Sequence, residues 1–249
     1  MDGVIIRQAI PEDIPFLAKT IVEAEKSGTE RAIMARYFGI SDEELQSYME
    51  KALWEGVEGC DISLSGFIVA EYNGEPISTQ GGWMEGCNDG MPSEILKTNL
   101  LMYTFPREII LRTRENAEIA KDLHIERKMG TYQFEFSYTK PEYRGQHLVP
   151  MCIHEHLKRA VNLYHATMAQ CHPLEINIKS IRAKERGGFH IVKRYVSNNP
   201  RILDIYPSNT MLLMEMDLTN LKFEDNSYLP ITHMGGVINN HLLVYNNAA

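Results

Sequence analysis

Residues 133–164 constrain the fold of this chain more than any other stretch. Gln133, Phe134, Glu135, Phe136, Ser137 and Tyr138 alternate polar with aromatic side chains. That period predicts a strand with Phe134, Phe136 and Tyr138 on one face. Pro141 punctuates its end. Arg144-Gly145-Gln146-His147 then leads into Leu148 to Tyr164, where Met151, Ile153, Leu157, Ala160, Val161 and Tyr164 recur at helical spacing. Pro150 fits the first helical turn, where its missing N–H costs nothing. A turn of this kind leaves main-chain N–H groups free at a helix N-terminus, and Arg144 adds positive charge, so the spot attracts an anion.

The chain has 249 residues, enough for one large domain or one domain with extensions. A formal net charge of −8 argues against a general grip on nucleic acid, which needs a basic face, and mildly favours a cationic substrate. Cys60, Cys87, Cys152 and Cys171 form no CxxC pair and no zinc spacing, so buried free thiols are expected. The start, Met1 to Arg7, lacks the charged and apolar regions of a signal peptide, and no apolar run reaches the about 18 residues that span a bilayer. The expectation is a cytoplasmic protein with no membrane partner.

In order, Val4 to Ala9 reads as a strand. Pro11 opens a helix to about Lys26, with Ile14, Leu17, Ala18, Ile21 and Val22 on one face and acidic residues in its first turn. Thr29 to Gly56 reads as mostly helical, with a capping box at Ser41 and Glu44. Ile62 to Tyr72 and Glu75 to Trp83 read as strands joined at Asn73-Gly74, a strong hairpin signal. Gly81-Gly82 weakens the second, marking a bulge or a close approach. Residues 87–129 form an insertion with helices over Pro92 to Tyr103 and Arg107 to Leu123, read as a lid over an acceptor site or a contact between two copies in a homodimer. Thr167 to Cys171, Phe189 to Tyr195 and Met211 to Leu218 read as the remaining strands. Residues 219–249 are a C-terminal extension, with a hairpin suggested around Gly235-Gly236.

Pro141-Glu142-Tyr143-Arg144-Gly145 before an apolar helix resembles the acetyl-CoA loop of the GNAT superfamily of N-acetyltransferases. The family pattern prefers small residues where His147 and Val149 stand; the His147 side chain either crowds a phosphate or points outward and donates to it. Asn177, Ser180, Gly188 and Phe189 match the second signature of that family, in the same order. The resemblance covers about residues 4–218 with the insertion outside it. It implies an α/β fold: a GNAT-like mixed, mostly antiparallel central sheet flanked by helices. It also implies acetyl-CoA as co-substrate, a small-molecule or peptide amine as acceptor, and no metal.

Carried onto this sequence residue by residue, the resemblance assigns coenzyme binding to Ser137, Tyr138 and Thr139 through main-chain N–H groups. It adds Arg144, Gly145, Gln146, His147, Leu148 and Val149 around the diphosphate, and Asn177 and Ser180 beside the pantetheine arm. Glu135 is the candidate base, against a solvent-facing strand residue. Lys184 stands where the family commonly has a tyrosine acid; a desolvated lysine can donate a proton or stabilise a thiolate, against an ordinary solvated helix position. The implied activity is direct transfer of acetyl to a primary amine in a ternary complex. The alternative is a GNAT-fold module that binds an acyl-CoA or a partner without turnover. His154 and His156 are two apart on a helix and point to different sides, which argues against a metal site.

Overall fold

The computed structural model describes residues 3–223 and 227–229. Among them a seven-stranded sheet runs in the order β1-β2-β3-β4-β5-β7-β6. The strands are β1 Ile5–Gln8, β2 Phe67–Tyr72, β3 Glu75–Met84, β4 Tyr132–Thr139, β5 Met168–Cys171, β6 His190–Val196 and β7 Thr210–Asp217. All neighbours are antiparallel except β4 and β5, which are parallel. This is the mixed, mostly antiparallel α/β sheet expected from the sequence.

Local chemistry sets many of the joints. Asn73 and Gly74 both take positive φ, +52° and +80°, and close the β2–β3 hairpin. Ser41 Oγ accepts from Glu44 N–H at 3.1 Å while the Glu44 carboxylate accepts from Ser41 N–H at 2.8 Å, starting α3 (Asp42–Trp54). Gly39, with φ of +66°, ends the preceding α2 (Ile33–Phe38). Arg7 of β1 bridges Asp13 and Glu71, each at 2.6 Å. It thereby ties the edge strand to the turn that opens α1 (Ile14–Glu25).

Two apolar layers sandwich the sheet. On one face α1, α2 and α3 bury Leu17, Ile21, Phe38, Leu45, Met49 and Leu53 against Phe67 and Val69. On the other, α7 (Leu148–Asn162) and α8 (Ile178–Arg186) pack Leu157, Ala160 and Ile181 on Tyr132, Phe134, Ala169, Leu212 and Met214. The insertion folds as α4 (Ser93–Thr104), α5 (Arg107–Arg112) and α6 (Arg114–Ala120). Its Leu96, Leu100, Leu101, Phe105 and Ile109 belong to the same buried cluster as α1 and α3, so it is a wall of the core.

Three expectations change. The strand from Ile62 begins only at Phe67, because Ser63 Oγ accepts from Cys60 N–H at 3.0 Å and a 3-10 turn occupies Leu64–Gly66. The single helix over Arg107 to Leu123 divides at Thr113, whose hydroxyl donates to Ile110 O at 2.8 Å and closes α5. Between the strands read over Phe189 to Tyr195 and Met211 to Leu218, where the sequence reading has no helix, a short α9 (Ile202–Ile205) buries Ile202 and Ile205. The suggested hairpin around Gly235-Gly236 lies outside the described residues.

The largest departure is in β4. Gln80 pairs with Ser137 but Gly81 pairs with Glu135, so Phe136 is an extra residue with φ of +51°. The three aromatic residues therefore do not share a face. Phe134 packs with Tyr132, Leu157 and Phe189, whereas Phe136 joins the α1–α3 layer and Tyr138 lies 6.1 Å from the ring of Phe16 in α1. One inserted residue reverses the alternation from that point on.

Candidate active site

The bulge opens the middle of the sheet. β4 and β5 pair only at Tyr132–Ala169 and Gln133–Gln170, and then part. A buried polar ladder holds the root of this cleft. Gln133 Nε2 donates to Gln170 Oε1 at 3.0 Å, and Gln170 Nε2 to Glu215 Oε1 at 2.8 Å. Beyond it, the edge of β4 facing β5 has no strand partner among the described residues. Lys140 N–H donates to Ile77 O on the β3 side. Strand alternation therefore turns the amides of Ser137 and Thr139 into the cleft and that of Tyr138 toward β3.

Glycines and one glutamine make the bulge feasible. A Cβ on Gly81 would sit 2.8 Å from Glu135 O, and one on Gly82 3.0 Å from His156 Nδ1. Gln80 Nε2 donates to Gly81 O at 2.7 Å and Glu135 O at 2.8 Å, satisfying carbonyls that the broken ladder leaves over. His156 is fully buried. Its Nε2 donates to Gln80 O at 2.8 Å, because a carbonyl only accepts, so its Nδ1 accepts from the Tyr132 hydroxyl at 2.8 Å. His154 instead faces Phe223, its ring 5.3 Å away, so the two histidines diverge as their spacing requires.

At the end of β4, the turn after Pro141–Tyr143 forms a cradle. Gly145 has φ of +82° and His147 φ of +59°, the left-handed region that a glycine would otherwise fill. The His147 side chain is exposed and makes no hydrogen bond to the described residues. The N–H groups of Gly145, Gln146, His147, Leu148 and Val149 likewise have no acceptor among the described residues. These five free donors lie at the positive end of α7, a 15-residue helix. Leu148 is buried and anchors the turn, Val149 is half-buried, and exposed Arg144 donates from Nε to Thr139 O at 3.3 Å.

Beside the bulge, on the α1 face, lies a charged cluster. Glu135 Oε2 accepts from Arg127 Nη2 at 2.8 Å, and Arg127 also reaches Glu94 at 3.4 Å while lying 5.2 Å from the Trp83 ring. Lys97 of α4 binds Asp61 and lies 5.9 Å from the ring of Phe136. Its ammonium is costly to bury, but Asp61, Glu135 and Glu25 outweigh that and raise its pKa. Glu25, the last residue of α1, has its carboxyl pushed up to about 7, first by burial and then by the charges of Glu135 and Asp61, against the pull of Lys97 and of Met34 N–H. Four carboxylates against two cations leave the cluster net negative.

On the opposite side Lys184 is buried, not solvated. Its Nζ lies 3.4 Å from Gln80 Oε1, 5.0 Å from the ring of Phe134 and 5.7 Å from that of Phe189. Burial lowers its pKa. Asn177 Oδ1 accepts from Ser180 N–H at 3.3 Å, so this pair starts α8 and places Lys184 under the bulge. Cys171 is buried in the apolar layer, its thiol pushed up to about 11 by burial.

The sequence reading missed Glu25, Asp61, Lys97 and Arg127. One signal was present for Glu25: it extends the buried stripe of Ala18, Ile21 and Val22 by one helical step, so a carboxylate stands where an apolar side chain is expected. The others come from separate loops and helices, and nothing local marks them.

No family model matches the chain, and no curated protein sequence matches it. Solved structures do. The fold is similar to an N-acetyltransferase from Staphylococcus aureus Mu50, with a TM-score of 0.62 at 15% identity over 85% of this chain and 100% of that one. It is also similar to a protein described as an acetyltransferase, with a TM-score of 0.53 at 13% identity over 86% and 98%. With this strand order and the parallel β4–β5 pair parting beside a bulged β4, the chain has the fold of the GNAT N-acetyltransferases.

Proposed function

We propose that this chain is an acetyl-CoA-dependent N-acetyltransferase that moves an acetyl group to a primary amine by direct attack in a ternary complex. The observation that carries the reading is the cradle of five free N–H groups at the start of α7, continuous with the unpaired edge of β4. A diphosphate suits the cradle, with Arg144 beside it. From there an extended arm fits along Ser137, Tyr138 and Thr139, where the amides of Ser137 and Thr139 point into the cleft. Asn177 and Ser180 flank that path as the start of α8. His147 takes the left-handed conformation that a glycine would otherwise fill, and its exposed side chain makes no hydrogen bond to the described residues, which supports the fit to the coenzyme. The description of both similar structures as acetyltransferases supports the chemistry.

The acceptor amine enters from the α1 face, where the negative cluster attracts an ammonium. Glu135 contributes to that attraction from beside the bulge. Lys184, its ammonium destabilised by burial, lies across the strand and is the group that protonates or neutralises a departing thiolate. Free-thiol release from acetyl-CoA across spermidine, lysine and a short peptide with a free N-terminus tests the activity. Binding of acetyl-CoA without release would leave a binding module, and no binding would leave neither. Arg144→Ala is expected to weaken acetyl-CoA binding about tenfold in calorimetry, at about 1.4 kcal/mol for one charge-assisted contact. Unaltered affinity would place the anion site elsewhere.

A further inference from the structure

We infer that Glu25, at the C-terminal end of α1, takes the proton from the acceptor amine, while Arg127 holds Glu135 beside it as a charge that positions the ammonium. The inference rests on the acetyltransferase reading above. Contact geometry separates the two carboxylates. Glu135 touches a guanidinium at 2.8 Å, and that guanidinium is fixed in turn by Glu94 and the face of Trp83. That contact commits the Glu135 carboxylate to Arg127, a permanent cation. Glu25 forms no ion pair among the described residues. Its Oε2 accepts from Met34 N–H at 3.1 Å, and its Oε1 has no hydrogen-bond partner among the described residues. One oxygen is therefore held in place and the other is free, on a side chain that is only half-buried.

The groups around Glu25 come from five segments. Lys97 faces it from α4, but its ammonium is bound to Asp61. Asp61, before β2, and Glu135, on β4, repel its charge. Tyr206, after α9, carries a phenol that burial and Glu25 together push up to about 12, so it is neutral. Met34 supplies its N–H from α2. Burial and the two carboxylates hold Glu25 near neutrality, where a general base works best. In the step, the ammonium gives one proton to Glu25 Oε1, which passes it to water. The freed nitrogen lone pair forms the bond to the thioester carbonyl carbon. The carbon–sulfur bond breaks with its electron pair on sulfur, Lys184 gives that thiolate a proton, and the second nitrogen proton returns to Lys184.

The test is the pH dependence of turnover with the best amine of the panel above. For the wild type, kcat is expected to fall about tenfold per pH unit below about 7. Glu25→Gln, which keeps the bond from Met34, is expected to lower kcat about 100-fold or more and to remove that limb. Glu135→Gln is expected to raise KM and retain the limb. Formate added to Glu25→Ala is expected to restore part of the rate. An unchanged profile in Glu25→Gln, or loss of the limb in Glu135→Gln alone, overturns the inference. A wild type that binds acetyl-CoA and releases no thiol removes the acetyltransferase reading first, and this inference falls with it.

Discussion

His156 shows how one side chain ties stability to the geometry of the cleft. It bridges Gln80 O and the Tyr132 hydroxyl, so it fixes β3 at the bulge, and it does so only as the neutral ring. Burial, with Arg159 next, lowers its pKa from 6.5 to about 3. The unfolded chain therefore takes up a proton first as pH falls. This contribution is complete above about 6.5 and is lost toward about 3, at about 1.4 kcal/mol per pH unit. Urea unfolding of His156→Gln is expected to lose a slope of that size between about pH 6 and 4. The variant should also be about 1–3 kcal/mol less stable at pH 7, from the unsatisfied buried partners. A slope equal to that of the wild type would show that other groups carry the acid sensitivity. Lys184 is a second buried titratable side chain at the site, and its position follows from the cap made by Asn177.

Among the elements, β4 with its bulge decides the shape of the site. It moves Phe136 to the α1 face, leaves carbonyls that Gln80 must satisfy, and lets β5 part from β4 after two pairs. Gly81 is the hinge of that arrangement. In Gly81→Ala the new carbon would meet Glu135 O at 2.8 Å and Phe67 at 3.0 Å, a main-chain atom and a buried ring that cannot both give way. A loss of about 2–3 kcal/mol in denaturant unfolding is expected, with reduced acetyl-CoA affinity if the strand shifts. A midpoint like that of the wild type would mean that β3 and β4 can re-register without cost. The strand, its turn and α7 were legible in the sequence as three consecutive signals. The bulge was visible only as Gly81-Gly82, because an extra residue in one strand is defined by its partner strand.

Across the whole molecule, the insertion shares the main core. Leu96, Leu100, Phe105 and Ile109 are buried with α1 and α3, and Ile119 and Leu123 pack with Ile202 and Ile205. Replacing residues 87–129 with a short Gly-Ser linker is therefore expected to abolish cooperative unfolding, since each lost large apolar side chain costs about 2–5 kcal/mol. Calorimetry of the shortened chain checks this; a single sharp transition would make the insertion an appended lid. Among the described residues no helix is long and apolar enough to cross a membrane.

By itself the sequence determined what short-range chemistry can dictate. It determined the Asn73-Gly74 turn, the capping box at Ser41, the strand–turn–helix around Arg144 and the amphipathic faces of α1 and α7. Each depends on residues within one or two turns of one another. Only the tertiary structure decided where Phe136 points, that Lys184 is buried, that the insertion joins the core, and that Glu25 faces Asp61, Lys97 and Glu135 beside the bulge. Those relations join segments far apart in the chain. Burial and neighbouring charge set their chemistry, and neither is a property of any single segment.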